Sequence, residues 1–335
     1  MTTRSDVRPA SATEVLPSSL PPRRHVLDLD DYSIEEIELV MQTTDAMGEV
    51  LRRSIRKVPT LQGKTVVTLF YEPSTRTRVS FEQAGKVLSA DVINLSIASS
   101  SVEKGESLLN TARTLEATQA DVIIIRHGAS GAPNFLARCI EGSVINAGDG
   151  AHAHPTQALL DLYTLRQRLG SIEGAKVAIV GDVLHSRVAR SNLWGLAAAG
   201  AQVVLCGPPT LLPMDWLRDQ HLQGRLASIS VTTSINDALD GADAVMTLRL
   251  QKERQQDGLI PSLREYARSY QINADRLKLA KTGAPVMHPG PMNEGVEISS
   301  EVAHGAASVI EAQVANGVAV RMAVLYLLAT GRGEE

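Results

Sequence analysis

Short apolar runs alternate with amphipathic stretches along most of this chain. Nine runs between residues 64 and 288 have strand-like length and composition, and most gaps between them accommodate a helix with its loops. These strand candidates are residues 64–70, 91–96, 121–127, 143–148, 176–181, 202–207, 229–233, 243–249 and 284–288. Three of them contain continuous apolar stretches, which is typical of strands buried on both faces. The alternation therefore predicts an α/β protein with parallel sheets.

A helical pattern at 155–169 divides the strand candidates into four before it and five after it. This division predicts two doubly wound parallel-sheet domains, residues 25–154 and 170–304, with 155–169 as a linking helix. The segment 305–330 is helical and largely apolar, and by its pattern alone it could pack on either domain. Residues 1–24 are rich in Pro, Ser and Thr and lack the apolar region of a signal peptide, so we expect a flexible tail.

Composition and charge argue against two kinds of binding partner. Among 335 residues there are 33 basic and 37 acidic side chains, and only 3% are aromatic, so nucleic acid and membrane surfaces are not expected partners. No apolar run approaches the roughly 18–20 residues of a membrane span. Two cysteines, Cys139 and Cys206, lie among apolar residues and suggest no disulfide. We therefore expect a soluble protein of a reducing compartment, the cytoplasm.

The turn after the first strand candidate concentrates hydroxyl and guanidinium groups. Its residues are Ser74, Thr75, Arg76, Thr77 and Arg78, and an amphipathic helix follows. Unpaired N–H groups and the positive dipole end at a helix N-terminus favour an anion, and arginine binds phosphate oxygens in pairs. Capping explains the first hydroxyl but not the alternation of threonine and arginine after it. The turn therefore predicts a phosphate-type site.

Further polar residues follow later strands, where ligands of such sheets bind. Arg126 ends an apolar strand, and by this pattern a bound anion and a structural ion pair are equally good partners for it. His154 and Gln157 begin the linking helix, where an imidazole and an amide can polarise a carbonyl and hold an amide nitrogen. Arg187 and Arg249 follow strands of the second domain and suit a dicarboxylate, although solvated arginines are slightly favoured by this observation alone.

Metal and nucleotide sites are the alternatives to consider at these turns. His152 and His154 have the spacing of a zinc pair, which requires further ligands. The other candidate histidines are His185, His221, His288 and His304, and they form no second cluster. Gly63-Lys64-Thr65 lacks the first glycine of a P-loop, and the turn after 176–181 lacks the glycines of a dinucleotide site. We therefore expect no metal and no cofactor.

Four stretches together resemble the transcarbamoylase family, and the resemblance covers about residues 25–330. They are the turn at 74–78, HPTQALLD at 154–161, RLQKER at 249–254 and HPGP at 288–291. The first two resemble the whole family; the last two, with Lys104-Gly105-Glu106, resemble its aspartate-specific branch. The resemblance implies a carbamoyl-phosphate domain (25–154, completed by helix 305–330) and an aspartate domain (170–304).

The same resemblance implies a reaction. The carbamoyl group of carbamoyl phosphate would be transferred to L-aspartate, giving N-carbamoyl-L-aspartate and phosphate in pyrimidine biosynthesis. The chemistry resembles oxyanion-type stabilisation, in which donors are aimed at the carbonyl oxygen as charge develops on it. It requires neither a covalent enzyme intermediate nor a metal.

Roles for individual residues are likewise implied by the resemblance. Carbamoyl phosphate would be bound by Ser74, Thr75, Arg76, Thr77, Arg126, His154, Gln157, Gly290 and Pro291. The catalytic residues among them would be Arg76, Thr77, Arg126 and His154. Aspartate would be bound by Lys104, Arg187, Arg249 and Gln251. Ser100 and Lys104 would act in a neighbouring subunit's site, implying at least a homotrimer, and Glu72 would pair with Arg187 and Arg254 on domain closure.

Two alternatives and two departures accompany this interpretation. An ornithine-type enzyme should offer a carboxylate where this chain has Arg249, Gln251 and Lys252. A non-catalytic assembly scaffold should have lost some of Arg76, Arg126, His154 or Arg187, and all four are present. Glu294 stands where related chains commonly carry Arg, and Gly128 where Pro is common. The resemblance leaves open whether trimers act alone, with a regulatory chain or with dihydroorotase.

Overall fold

The computed structural model describes residues 20–96, 107–215, 224–251 and 258–331. Its strands are β1 Thr65–Phe70, β2 Asp91–Ser96, β3 Val122–His127, β4 Ser143–Asp149, β5 Lys176–Val180, β6 Gln202–Cys206, β7 Ile229–Thr232, β8 Ala244–Thr247 and β9 Val286–Met287. Its α-helices are α1 Ile34–Arg52, α2 Thr75–Val87, α3 Leu108–Ala117, α4 Ala132–Ala137, α5 Pro155–Leu169, α6 Arg187–Ala198, α7 Ile235–Leu239, α8 Leu263–Tyr270, α9 Ala274–Leu277, α10 Ser300–Ala303 and α11 Ile310–Thr330. Each predicted strand is present, with ends that differ by a few residues.

The strands form two parallel sheets, as predicted. The first has the order β2-β1-β3-β4 and the second the order β7-β6-β5-β8-β9, and all neighbouring pairs are parallel. In each sheet the chain winds outwards on one side and then crosses to the other, so the order reverses between β1 and β3 and between β5 and β8. Ligands of open α/β sheets bind beyond the carboxyl ends of strands at such reversals. Each sheet therefore offers one binding crevice.

Central strands of both sheets are buried on both faces. The four apolar residues of β3, Val122–Ile125, are at most 1% exposed. Burying one such side chain contributes roughly 1.5–3 kcal/mol, which explains the continuous apolar pattern. The edge strand β7 is only partly buried and is the more polar run Ile-Ser-Val-Thr.

The last helix, α11, packs against α1, α2 and α5. Val320, Met322 and Leu325 are fully buried in these contacts. α11 has 21 residues and is long and apolar enough to cross a membrane by length and composition, although 56% of its most apolar 18-residue window is buried. The expectation that no segment reaches this length is therefore wrong. Packing against three helices is what a core helix of this fold requires.

Local signals explain why two helices begin at the crevices. Ser186 precedes α6, and its hydroxyl accepts a hydrogen bond from the Ala189 N–H at 3.1 Å. Arg187 is therefore the first residue of α6. Pro155 is the first residue of α5, a position that suits its fixed φ and missing N–H, and His154 is the N-cap.

Candidate active site

A cavity of about 670 Å³ lies between the carboxyl ends of the two sheets. Its wall is built by residues that follow β1, β3, β5 and β8, the strands at the two reversals, together with residues after β4 and β9. The predicted site residues on this wall are Glu72, Ser74, Thr75, Arg76, Thr77, Arg126, His154, Gln157, Arg187, Arg249, Gln251, Gly290 and Pro291. The fold thus brings most of the predicted site into one space.

The remaining predicted residues, Ser100, Lys104 and Arg254, lie outside the described part of the chain. Their roles in a shared site and in domain closure stay predictions. Of the two departures from the family pattern, Gly128 lines the cavity, where a Cβ would be an ordinary 3.5 Å from Glu72 Oε1. Glu294 is not on the wall, and its carboxylate accepts a hydrogen bond from the Ser300 hydroxyl at 2.7 Å.

The start of α2 presents a phosphate-binding arrangement to the cavity. Ser74 is the N-cap, but its side chain makes no capping hydrogen bond, so capping does not account for it. The first N–H groups of α2 lack a side-chain cap and mark the positive end of the helix dipole. Thr77 is 7% exposed, whereas the Arg76 side chain reaches into the open cavity. Backbone N–H groups, a hydroxyl and a guanidinium therefore face one space, which suits a phosphate.

The turn after β9 approaches Arg76 from the second sheet. Gly290 has φ +62°, and a Cβ there would lie 3.3 Å from the Arg76 guanidinium, so the position favours glycine. His288 organises this turn, because its Nδ1 accepts a hydrogen bond from the Gly290 N–H at 2.8 Å. Its Nε2 lies 3.2 Å from Oε1 of Glu297, and both side chains are buried. The backbone of the turn is thereby held against the start of α2.

Glu72 contacts one arginine from each sheet. Its Oε2 accepts hydrogen bonds from Nη1 and Nη2 of Arg187, at 3.0 and 3.1 Å, and lies 3.4 Å from Nε of Arg126. Arg187 is only 4% exposed. Gly148, with φ +114°, gives it room, because a Cβ there would lie 2.9 Å from the guanidinium. Arg126 therefore has the structural ion pair that the sequence allowed, and it also lines the cavity, so its binding of an anion stays a prediction.

Asp149 holds the turn between β4 and α5 in place. Its fully buried carboxylate accepts hydrogen bonds from the Gly131 N–H at 2.6 Å, Asn146 Nδ2 at 2.8 Å and the Ala153 N–H at 3.0 Å. Burial acts to raise the pKa of Asp149, but the hydrogen bonds from His152, Asn146 and Gly131 outweigh it and lower the pKa below its usual value. The carboxylate therefore stays ionised and fixes the turn that precedes His154.

His154 is anchored from the other side by α6. Its backbone N–H donates to the Ser191 hydroxyl at 2.9 Å, and Ser191 in turn donates to Asp28. His154 is 5% exposed and lies on the cavity wall. An imidazole at the start of α5 thus lines the same cavity as the hydroxyls and guanidinium of α2.

His152, the other half of the candidate zinc pair, contacts a carboxylate of its own turn. Its Nδ1 lies 3.1 Å from Oδ2 of Asp149, and this hydrogen bond raises the pKa of His152. Across the residues that the structure describes, no group of three or more His, Cys, Asp or Glu side chains could hold a metal ion. The donor set around His154 therefore does not fit a zinc site in that part of the chain.

Arg249 and Gln251 form the second sheet's part of the wall, in the segment after β8. The Gln251 N–H donates to Oδ2 of the fully buried Asp182 at 3.3 Å, and Oδ1 of Asp182 lies 2.8 Å from Nδ1 of His185. The segments after β5 and β8 are thereby held together. Because Arg187 and Arg249 line one cavity, their arrangement suits a dicarboxylate better than two solvated surface arginines.

Several residues of the wall were not predicted from the sequence. They are Ser80, Leu160, Ser186, Val188, Gln313, Val314 and Arg321. A signal existed for Arg321, which interrupts the apolar pattern of α11 and is only 5% exposed. No local signal marks Gln313, because its partners lie on other elements.

Two family models match the chain. The model described as "Aspartate/ornithine carbamoyltransferase, carbamoyl-P binding domain" matches residues 24–167. The model described as "Aspartate/ornithine carbamoyltransferase, Asp/Orn binding domain" matches residues 173–328. The aspartate carbamoyltransferase catalytic subunit of Roseiflexus sp. (strain RS-1) is 60% identical over 91% of this chain and 95% of that protein. The catalytic subunit of Chloroflexus aurantiacus (strain ATCC 29366 / DSM 635 / J-10-fl) is 58% identical over 92% and 98%.

Solved structures with the same fold include both acceptor types. Aspartate transcarbamoylase from Trypanosoma cruzi in complex with N-(phosphonacetyl)-L-aspartic acid has a TM-score of 0.82 at 32% identity, covering 91% of this chain and 95% of that one. Ornithine carbamoyltransferase from Pyrococcus furiosus has a TM-score of 0.83 at 30% identity, covering 92% and 98%. Fold similarity therefore does not separate the two acceptors, whereas the two relatives at 60% and 58% identity are both named for aspartate.

Proposed function

The chain belongs to the aspartate/ornithine carbamoyltransferase family, and we propose that it transfers the carbamoyl group of carbamoyl phosphate to L-aspartate. The products are N-carbamoyl-L-aspartate and phosphate, and the reaction belongs to pyrimidine biosynthesis. One observation carries the proposal: cations from both sheets face one cavity, with Arg76 and Arg126 from the first and Arg187 and Arg249 from the second. Such an arrangement can hold two anionic substrates side by side, which positions them for reaction.

The charge of the acceptor side favours aspartate over ornithine. Ornithine carries a side-chain ammonium and requires a carboxylate partner. Among the described residues of the wall, Glu72 is the one carboxylate, and it is bound to Arg187 and Arg126. Arg249 and Gln251 instead offer donors, which suit the two carboxylates of aspartate.

Carbamoyl phosphate binds on the side of the cavity that is formed mainly by the first sheet and its helices. The phosphate binds at the start of α2, which carries Ser74, Thr75, Arg76 and Thr77. No side chain caps the first N–H groups of this helix, and its first residues line the cavity. The carbamoyl group then extends towards His154 and Gln157 at the start of α5. Backbone groups at Gly290 and Pro291 complete its surroundings.

In the transfer step, the deprotonated α-amino nitrogen of aspartate attacks the carbamoyl carbon and a C–N bond forms. Negative charge develops on the carbonyl oxygen, and it is stabilised by donors from four residues, Arg76, Thr77, Arg126 and His154. The C–O bond to phosphorus-bound oxygen then breaks, and the electron pair leaves with the phosphate. The departing phosphate takes the proton from the new amide nitrogen, so no side-chain base is required.

We also propose that the chain acts in the cytoplasm as a homotrimer or a multiple of trimers. The predicted contribution of Ser100 and Lys104 to a neighbour's site supports the trimer, and the free thiols of Cys139 and Cys206 are compatible with a reducing compartment. Inactive Lys104→Ala and His154→Ala chains should regain activity when they are mixed and reassembled. No recovery in verified mixed oligomers contradicts the shared site.

Product analysis of the purified chain tests the proposed function. Carbamoyl phosphate is supplied with L-aspartate and, separately, with L-ornithine. We expect N-carbamoyl-L-aspartate from the first mixture and no citrulline from the second. Citrulline contradicts the assignment of the acceptor side. If neither product forms, repeating the assay with an added dihydroorotase chain separates a partner-dependent enzyme from a non-catalytic scaffold.

A further inference from the structure

A buried carboxylate lies behind the cavity and has no part in the reaction proposed above. Asp161 is on α5, one turn after Gln157, and is fully buried. Its Oδ1 accepts hydrogen bonds from Gln157 Nε2 at 3.0 Å and from Gln313 Nε2 at 2.8 Å, and its Oδ2 accepts one from Asn192 Nδ2 at 2.9 Å. A buried charge is tolerated only with such partners. Three amide donors from three helices therefore converge on Asp161.

Gln313 on α11 links this carboxylate to the turn after β9. It is 2% exposed, and its Oε1 accepts a hydrogen bond from the His288 N–H at 3.0 Å. A backbone N–H can only donate, so the amide oxygen of Gln313 must face His288. Its NH₂ group must then face Asp161. The orientation of the Gln313 amide is therefore set at both ends.

This polarity determines which group Gln157 offers to the cavity. Burial raises the pKa of Asp161 to about 6, against the hydrogen bonds from Asn192, Gln313 and Gln157, so above that pH the carboxylate is ionised and only accepts. Gln157 must therefore turn its NH₂ towards Asp161. Its Oε1, on the other side of the same amide, is left to accept a hydrogen bond from a ligand in the cavity.

Arg321 reduces the energetic cost of burying the charge of Asp161. It is 5% exposed, its Nη1 donates to the Gly317 carbonyl at 3.0 Å, and its guanidinium lies 5.1 Å from the centre of the Phe81 ring. Burial lowers the pKa of Arg321 to about 10, while the charge of Asp161 acts to raise it. The group therefore remains a cation at neutral pH and offsets the negative charge of Asp161.

We propose that Asp161 and Gln313 are positioning residues that make the cavity wall accept hydrogen bonds from the NH₂ of the carbamoyl group. The inference rests on the proposed function and deepens it by naming what selects the carbamoyl group. Acetyl phosphate carries a methyl group where carbamoyl phosphate carries NH₂. A methyl group would leave the Gln157 oxygen without a partner, and an unpaired buried acceptor is costly.

The test compares two amides on the same face of α11. Gln313→Leu removes the link to Asp161. Asn316→Leu is the matched control, because Asn316 Nδ2 also joins α11 to α5, through Thr164 Oγ1 at 3.0 Å and Gln167 Oε1 at 2.8 Å, but it does not line the cavity. Three quantities are measured in each variant: the KM for carbamoyl phosphate and the inhibition constants of acetyl phosphate and of inorganic phosphate.

Gln313→Leu should raise the KM for carbamoyl phosphate about tenfold, the effect of losing one well-placed hydrogen bond, while both inhibition constants change less than about twofold. Asp161→Asn keeps the shape and should act in the same direction, so it replaces Gln313→Leu if that variant fails to fold. Asn316→Leu should leave all three quantities near wild type. The ratio of the affinities for carbamoyl phosphate and acetyl phosphate should therefore fall in Gln313→Leu and Asp161→Asn and stay unchanged in Asn316→Leu.

Two results overturn the inference. One is an equal weakening of carbamoyl phosphate, acetyl phosphate and inorganic phosphate, which indicates a structural role only. The other is an unchanged ratio of carbamoyl to acetyl phosphate affinity in Gln313→Leu and Asp161→Asn. A wild-type chain that forms no product overturns the proposed function and this inference together, whereas an active wild type with unchanged ratios overturns the inference alone.

Discussion

The two sides of the cavity differ in how they are held. On the first-sheet side, His154 and Thr77 are 5% and 7% exposed, and Asp149 fixes the turn before His154 with hydrogen bonds from its own half. On the second-sheet side, Arg187 is held by Glu72, which follows β1 of the first sheet. Gln251 directly precedes residues outside the described ranges. The turn before His154 is therefore fixed mainly by residues near it in the first sheet, with Ser191 added from α6, whereas Arg187 on the acceptor side depends on a carboxylate from the first sheet.

Removing the imidazole of the first-sheet side should have the largest effect. His154→Ala should lower kcat about 10²–10³-fold, the usual result of losing one donor to a developing oxyanion. The KM for aspartate should change little, because that substrate is held from the other side. Steady-state kinetics measure both quantities. His304→Ala, an exposed histidine away from the cavity, is the control and should be near wild type.

A substitution on the second-sheet side should affect the acceptor instead. Arg249→Ala should raise the KM for aspartate about 10–100-fold, because a charge-assisted hydrogen bond contributes roughly 1.5–3 kcal/mol. The KM for carbamoyl phosphate should stay within about twofold. Arg264→Ala removes an exposed arginine of the same half and serves as the control. A parallel rise in both KM values in Arg249→Ala is evidence against the division of the cavity into two sides.

Glu72→Gln tests the connection between the halves. It leaves the buried Arg187 with a weaker partner, so the free energy of unfolding should fall by about 2 kcal/mol, and the KM for aspartate should rise with it. Urea unfolding measures the first quantity. Glu82→Gln, which breaks an i,i+4 pair with the exposed Lys86, should cost less than about 0.5 kcal/mol. Equal losses in both variants contradict a special role for Glu72.

The smallest effect concerns His152 and depends on pH. Its folded-state pKa is raised by the hydrogen bond to Asp149, so its contribution to stability is fully present below the unfolded value of about 6.5 and is lost as the pH rises through the folded value. The difference in free energy of unfolding between wild type and His152→Gln should therefore shrink between pH 6 and pH 8.5. A difference that is constant over this range excludes the Asp149–His152 pair as its source.

Much of the fold was predictable because its elements have local causes. Continuous Val and Ile runs predicted β3 and β5, since a strand covered on both faces has no polar position. Pro155 marked where α5 begins. The membrane-span length of α11 was missed because small and polar residues interrupt its pattern, among them Gln313 and Arg321.

The candidate site was predictable where its residues follow strand ends, and not where partners come from distant elements. The turn at Ser74–Arg78 and the start of α5 carry their chemistry in consecutive residues. The Glu72 contact to Arg126 is different, because it required β1 and β3 to be neighbours, which the order of strands along the chain does not specify. Asp161 follows Gln157 by four residues, so its place on the same helix face was available from spacing, but its burial was not.

Local sequence was sufficient to predict the two parallel sheets, the start of α5 and most of the charged and polar residues that line the cavity. These features depend on periodicity, turn chemistry and charge, which are properties of neighbouring residues. The contact of Glu72 with Arg126, and the hydrogen bonds by which Gln313 joins His288 to Asp161, are evident only in the tertiary structure. The physical reason is that a hydrogen bond between distant residues requires both to be brought within about 3 Å, and the packing of α11 and the sheets does this.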